Sequence, residues 1–463
     1  MRANKLALIA PALALAGCSM APEYHRPEIV TAPVYKEGGP WQTAGTEVPA
    51  AGKWWEIFGD AMLSGLEEKI EAGSPSLAAA AARYEQAAAL VRRTRADLLP
   101  EVDVGASTQR DRVSAGRPLS PGSAATYTNS QIGASLSYEL DLFGRVRNSV
   151  KASEADAQAS ESDLAGVRLG LQAQLAAAYF DMRGLDARIA LLRETVGAYQ
   201  RAFDLTDTRH SGGIASGIDV SRAQSQLSSA KAELDAVAAD RARDEHAIAV
   251  LIGENPSSFS IPVADTQIAP PAIPAALPST LLERRPDIAA AERRVAAANA
   301  QIGLAKAALF PSVSLGAAGG FQASSGKLLS TANSFWALGP LSAALAIFDG
   351  GARRANIRIT RAQYDEAAAN YRETVLTAFR EVEDDLAAGR HLIDQERNQR
   401  EAVAAAERTR DLALTRYRDG AADYLEVTIA QTAALDAERA LLDTRSRQLG
   451  VATDTVRALG GLY

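Results

Sequence analysis

Few side chains in this sequence have the type and spacing that reactive chemistry demands. The four histidines, His25, His210, His246 and His391, stand far apart, with no two at a metal-ligand interval. Glu381, Glu383, Asp384 and Asp385 form an acidic run inside an Ala-rich helical stretch. There it reads as a solvated face or the lining of a water-filled passage, not as a catalytic pair. No glycine-rich phosphate loop of the nucleotide-binding type is present, which sets an ATPase aside. With no catalytic constellation, no metal set and no cofactor motif, the residues point away from an enzyme.

One residue does carry a chemical signature. Cys18 is the only cysteine. Arg2 and Lys5 make a positive start, Leu6 to Ala14 an apolar stretch, and Leu15-Ala16-Gly17-Cys18 closes it, the layout of a secretory signal peptide. Those last four residues resemble a bacterial lipobox, in which the cysteine is acylated and becomes the first residue of the mature chain. A lone cysteine cannot form an internal disulfide, and a free thiol is a liability in an oxidising compartment. Each buried CH₂ of an acyl chain adds roughly 0.8 kcal/mol of membrane affinity, so a multiply acylated Cys18 is a firm lipid anchor. Ser19, rather than Asp, next to it fits sorting to the outer membrane. The Pro- and Gly-rich stretch from Met20 to about Pro49 reads as an extended tether. Residues 1–17 are thus expected to be a signal peptide and 18–53 a lipid-anchored tether.

The bulk of the chain must supply the scaffold. Its 463 residues are rich in Ala, with 6% aromatics and four each of Met and Trp, which implies close-packed helices rather than one thick core. A net charge of −7 offers no basic field for nucleic acid. No run of eighteen apolar residues follows the N-terminus, so no transmembrane helix is expected. Proline is absent between Pro121 and Pro256 and after Pro340, while seven prolines crowd Pro256 to Pro286. Two Pro-free blocks around a Pro-rich joint point to duplication. Ser74–Pro100 matches Arg285–Pro311 at an offset of 211, and Thr208–Gln224 matches Thr415–Gln431 at 207. The expected boundaries are 54–255 for the first repeat, 256–284 for a connector and 285–463 for the second repeat.

Each repeat reads as helix, strands, long helix, tight turn and returning helix. Ile132, Ala134, Leu136, Tyr138, Leu140 and Leu142 alternate with polar or small residues over Gln131 to Leu142, as do Val102, Val104 and Ala106 upstream. Such period-two alternation is the membrane-strand pattern. Ser312 to Gln322 and Phe335 to Phe348 supply the second pair, and Arg112 to Asn129 reads as an exterior loop. Four strands cannot close a barrel, and lipid tolerates no open edge, so several chains must pool strands: two copies give eight, three give twelve. The helices predicted over Gly144–Arg209 and Gly351–Arg418 would each span on the order of 100 Å. Leu171, Leu175, Ala178, Met182, Leu185, Ile189, Leu192, Val196, Tyr199 and Phe203 step by four and three, a heptad seam. Val375, Phe379, Val382, Leu386, Gly389 and Ile393 repeat the step, and Leu435, Leu442, Leu449 and Val456 lie seven apart on the returning helix. The fold class expected is mainly α with membrane β-strands, built on duplicated coiled-coil hairpins.

WWEIFGDAMLSGLEEKI from Trp54, ELDLFGRVR from Glu139, LLERRPDIAAAERRVAAANAQIGLAKAALFP from Leu281 and PEYHRP after Cys18 resemble TolC-like outer-membrane efflux factors, in the lipoprotein branch with NodT- and OprM-type channels. The resemblance implies a homotrimer with a shared twelve-stranded β-barrel in the outer membrane and a trimeric α-helical barrel below it. It also implies a periplasmic adaptor and an inner-membrane pump as partners, with small molecules as cargo. A protein-secretion channel has the same architecture and stays open as an alternative. A periplasmic adaptor lipoprotein would have one hairpin and no alternating strands. By resemblance, the turns at Gly212, Gly213, Ala215, Ser216 and Gly217 and at Gly420, Ala421 and Ala422 dock the adaptor. Asp423 and Glu426, with Asp219 as first-repeat counterpart of Glu426, are the candidate pore gate, although an Asp at a helix start also serves as an N-cap. Ala422 stands where some relatives carry a charge, so the gate of this chain is expected to differ in detail.

Overall fold

The computed structural model describes residues 19–30, 32–37, 52–116, 122–264, 268–271, 284–324 and 327–461. Cys18, the signal peptide and much of the tether and connector lie outside the described residues. After a short 3₁₀ turn at Trp54–Phe58 come α1 (Ala61–Gly73), α2 (Pro75–Ala96), β1 (Glu101–Val113), β2 (Ala125–Leu140), α3 (Arg145–Ser211) and α4 (Gly217–Leu251). The second half holds α5 (Pro286–Ala307), β3 (Ser312–Ala323), β4 (Ser334–Ala344), α6 (Ala352–Arg418) and α7 (Tyr424–Ala458). Helices α3 and α6 are each 67 residues long, and α4 and α7 are each 35. An offset of 207 carries α3 onto α6 and α4 onto α7, as the matched turns implied.

The chain forms two compact units that cut across the sequence repeats. One comprises Met1–Glu28, Arg83–Glu161 and Ala290–Arg372; the other comprises Ile29–Ala82, Ser162–Ala289 and Glu373–Tyr463.

The first unit carries the sheet, antiparallel throughout in the order β1-β2-β3-β4. The β1–β2 ladder runs on to Val113 opposite Ala125, so the loop expected from Arg112 to Asn129 is shorter than its polar composition implied. Backbone pairing does not require apolar side chains, and Thr126 to Asn129 pair as strand. In contrast, β4 ends at Ala344, short of the expected Phe348. Beyond it, Arg353 bonds the carbonyls of Ala346 and Ala308, which draws the chain out of the ladder. Residues 19–26 are strapped to the helices of this unit. Ser19 Oγ donates to Asn148 at 3.0 Å, Asn299 to the Pro22 carbonyl at 2.9 Å, and Arg26 to Tyr371 at 2.9 Å. Tyr24 adds a bond to the Glu292 carboxylate.

In the second unit the heptad seam is realised by burial of Leu175, Met182, Ile189, Leu192 and Tyr199, and of Val375, Val382, Leu386, Leu435, Leu449 and Val456. Ile393 departs from the pattern: it is 59% exposed and Leu392 is buried instead. In the Trp54–Phe58 turn Phe58 packs against Phe180, with centroids 4.6 Å apart, and Trp54 meets Phe58 edge to face at 6.4 Å. The Arg-Pro-Asp of the second repeat becomes a joint here. Buried Arg285 pairs with Asp287 and Glu381 at 2.7 Å each and caps the Ala458 carbonyl at the end of α7 at 3.1 Å. The acidic run on α6 is therefore not simply solvated. Glu381 holds Arg285, and Glu383 accepts the backbone N–H groups of Lys36 and Glu37.

Candidate functional site

Two regions of the chain have the character of a working surface: the faces of the sheet, and the ends of the hairpins.

Register decides what each sheet face presents. Cross-strand rows place Val102, Leu136, Ala317 and Leu338 in line, and next to them Val104, Ala134, Gly319 and Trp336. Tyr138, Leu315 and Leu341 form another row of the same face. On the opposite face lie Asp103 with Ser135, Ser107 with Gln131 and Gln322, and Glu139 with Ser314 and Ser342. Polar side chains bond across that face: Ser314 Oγ to Ser342 Oγ at 2.8 Å, and Gln322 to Asn129 at 2.9 Å. The apolar face is bare, with Val104 78% and Trp336 83% exposed. Strands β1 and β4 each leave one edge unpaired within the sheet. A bare apolar face and free edges are untenable in water, and a closed barrel in lipid removes both problems.

The hairpin ends share one backbone design. Gly213 and Gly420 take φ of +75° and +77°, the left-handed conformation that a side chain resists. Ile214 N–H bonds the Arg209 carbonyl, and Ala421 N–H bonds that of Arg416, both at 2.8 Å. Gly212 does not need the left-handed region, so Gly213 is the obligatory glycine of the first turn. Gly217 instead opens α4. Ala215 lies in the same turn, its carbonyl oxygen 2.9 Å from His210 Nδ1. Ser211 to Ile214 and Gly420 to Ala421 are exposed, with Ile214 at 75%.

The three carboxylates expected at a gate all have local partners. Asp219 closes a capping box: Ser216 Oγ accepts its N–H, and its carboxylate accepts the Ser216 N–H, both at 3.2 Å. Asp423 is the N-cap of α7 and accepts the Glu426 N–H at 3.1 Å. Glu426 pairs with Arg416 at 2.6 Å, both groups remaining substantially exposed. An exposed pair of this kind is weakly held. Ala422 is half-buried beside them.

Sequence reasoning missed the staple that joins the two turns. Tyr417 and Tyr424, both buried, meet edge to face at 5.4 Å, in a cluster with Ala202, Ala223 and Val427. Thr206 Oγ1 lies 3.2 Å from the Tyr417 hydroxyl. Arg209 donates to the Tyr417 carbonyl at 2.6 Å, with its guanidinium 4.7 Å from the Tyr417 ring centre. Burial pushes the Tyr424 phenol up to about 12, so it stays neutral. The legible signal was two tyrosines seven residues apart around a turn, but which helix they would meet was not. Among the described residues no group of His, Cys, Asp and Glu is placed to hold a metal, and no helix is long and apolar enough to cross a membrane.

Comparison with known proteins gives this geometry a context. The family model described as outer membrane efflux protein matches residues 66–254 and 277–461. The chain is 35% identical to the probable efflux pump outer membrane protein TtgC of Pseudomonas putida, over all of this chain and 96% of that protein. It is also 35% identical to the outer membrane protein OprJ of Pseudomonas aeruginosa, over 97% of this chain and 94% of OprJ. Among solved structures, the outer-membrane channel OprN superposes with a TM-score of 0.89 at 30% identity, covering 96% of this chain and 99% of OprN. The CmeC outer membrane channel of Campylobacter jejuni gives 0.88 at 25% identity, covering 96% and 95%. With nearly its full length matched in sequence and in fold, the chain belongs to the outer membrane efflux protein family.

Proposed function

We propose that this chain is the lipid-anchored outer-membrane channel subunit of a tripartite efflux system, working as a homotrimer. It passes small molecules from an inner-membrane pump and a periplasmic adaptor to the exterior. The observation that carries the reading is the four-stranded sheet with one bare apolar face, one polar face and two free edges. Three copies supply twelve strands, a barrel with lipid outside and water within. No bond is made or broken on the cargo; the protein contributes a passage, not catalysis.

Acylation at Cys18 fits the strap, because Ser19 is held at Asn148 in the first turn of α3, just beyond the end of β2. Membrane attachment there would lie close to the strand ends. At the hairpin ends, the exposed Ile214, Ile218, Leu425 and Ile429 offer the adaptor an apolar seat around Gly212 to Gly217 and Gly420 to Ala422. Asp423 and Glu426 line the pore in this reading, and the Arg416–Glu426 pair is the contact that opening releases.

Purified protein should run as a heat-resistant trimer and conduct ions in planar bilayers, and neutralising Asp423 and Glu426 together should lower its cation selectivity. A monomer that does not conduct would overturn the channel. Unchanged selectivity would remove only the gate assignment.

A further inference from the structure

The duplication calls for one contact twice, and a single chain makes it once. Between β2 and α3, Phe143 stacks on Phe310, which lies between α5 and β3; the centroids are 4.7 Å apart and the planes 17° off parallel. The pairing of β2 with β3 brings these two junctions together. Each partner has a counterpart in the other repeat. Leu99-Pro100 matches Phe310-Pro311 at the offset of 211, and Ile347-Phe348 occupy the strand-to-helix junction before α6, two residues further from the helix start than Leu142-Phe143 are from that of α3.

The second pair of junctions uses the same kind of anchor, an Asp–Arg bond at the helix start, although Asp141 precedes Phe143 and Asp349 follows Phe348. Asp141 accepts the N–H of Arg147 at 2.9 Å and its Nε at 3.1 Å, which starts α3. Asp349 accepts the N–H of Arg353 at 3.2 Å and its Nε at 2.7 Å, which starts α6. Yet here the apolar residues are left open: Ile347 is 95% exposed, Phe348 90% and Leu99 69%. They sit at the ends of β4 and β1, the strands with free edges.

We propose that Ile347 and Phe348 of one copy pack on Leu99 of the next copy, repeating between chains the contact that Phe143 and Phe310 make within one. This rests on the homotrimer reading. A β4–β1 ladder between copies sets the two junctions side by side as the β2–β3 ladder does inside the chain. An aromatic side chain buries roughly 150–250 Å² when covered, so each of these joints seals a substantial apolar patch.

The test is cysteine cross-linking of the full chain in outer-membrane fractions with a short bismaleimide. After complete dissociation of the assembly in formic acid, the Leu99→Cys/Phe348→Cys variant should run mostly as covalent dimers and trimers on urea gels, while each single variant runs as a monomer. A Phe143→Cys/Phe310→Cys control should link within one chain, protecting both thiols at monomer mass. If the Leu99/Phe348 pair stays unlinked while the control closes and the assembly keeps trimer size in mild detergent, these side chains face lipid and the proposal is overturned, with the homotrimer intact. If size measurement finds only monomers, the homotrimer reading itself fails and takes this contact with it.

Discussion

At equivalent positions the two hairpins are fastened in opposite ways. In the first repeat, fully buried Asp186 accepts from Arg183 and Arg241 at 2.9 Å each. Arg241 also pairs with Glu245 at 3.0 Å and donates to the Ile261 carbonyl at 2.5 Å, while Arg183 donates to that of Pro262 at 2.8 Å. The start of the connector is thus pinned by a buried charge cluster. In the second repeat the positions of Asp186, Arg241 and Glu245 hold Ile393, Gln448 and Ala452. There Pro270 and Pro271 line a cavity of about 310 Å³ with Ile393 and Gln448, and Gln448 Oε1 is buried with no partner among the described residues. Arg390, the counterpart of Arg183, turns instead to Glu37 at 2.7 Å. One backbone plan therefore tolerates either a charge cluster or a cavity, because the helix seams and not these side chains set the scaffold.

The largest difference between the two hairpins should come from removing the buried carboxylate. Asp186→Ala leaves Arg183 and Arg241 without their buried partner and should cost about 3–5 kcal/mol, whereas Ile393→Ala, at a mostly exposed site, should stay within about 1 kcal/mol. Denaturant midpoints of the detergent-solubilised protein measure both, and equal effects would abolish the distinction.

The two hairpins should also differ in their response to pH. Asp385, beside the cavity, stands where the first repeat has Ala178. Its carboxyl is pushed up to about 7, first by burial and then by Asp454, with Glu381 and Asp384 adding and Arg457 opposing. A raised folded pKa means stability that is full below the unfolded value of 3.8 and lost as pH rises through 7. Asp385→Ala should flatten that loss and gain about 1–2 kcal/mol at pH 8, allowing for solvent screening of a partly exposed group. The difference between the two proteins isolates Asp385 from Glu67, whose fully buried carboxyl is pushed up to about 9 by burial alone. A wild-type profile identical to that of the variant would remove Asp385 from the account.

The smallest expected effect is one of sameness. Gly213→Ala and Gly420→Ala should each cost about 1 kcal/mol, because both turns need the left-handed backbone. Thermal melts that differ widely between the two would show that the turns share shape but not strain.

Much of the fold was legible because it is local. Heptad spacing read the seam over Leu171 to Phe203, of which Leu175, Met182, Ile189, Leu192 and Tyr199 are buried, and the glycines that follow each long helix placed both turns. Alternation found the strands but misjudged their ends, since pairing at Val113 depends on the partner strand and release after Ala344 depends on Arg353. The candidate site was legible as positions, not as contacts: Asp219, Asp423 and Glu426 stand at helix starts as their spacing implied. That Tyr417 would meet Thr206 and Arg209 was not written in either segment, because it depends on which helix faces pair.

Periodicity and backbone-breaking residues act over a few neighbours, and they suffice for a duplicated chain of long amphipathic helices and alternating strands. Burial of Asp186 with two arginines, the tie that Arg285 makes among three elements, and the pairing of Phe143 with Phe310 while Phe348 stays exposed are set by packing between distant segments. Those outcomes turn on register and on helix rotation, which bring together residues far apart in the chain.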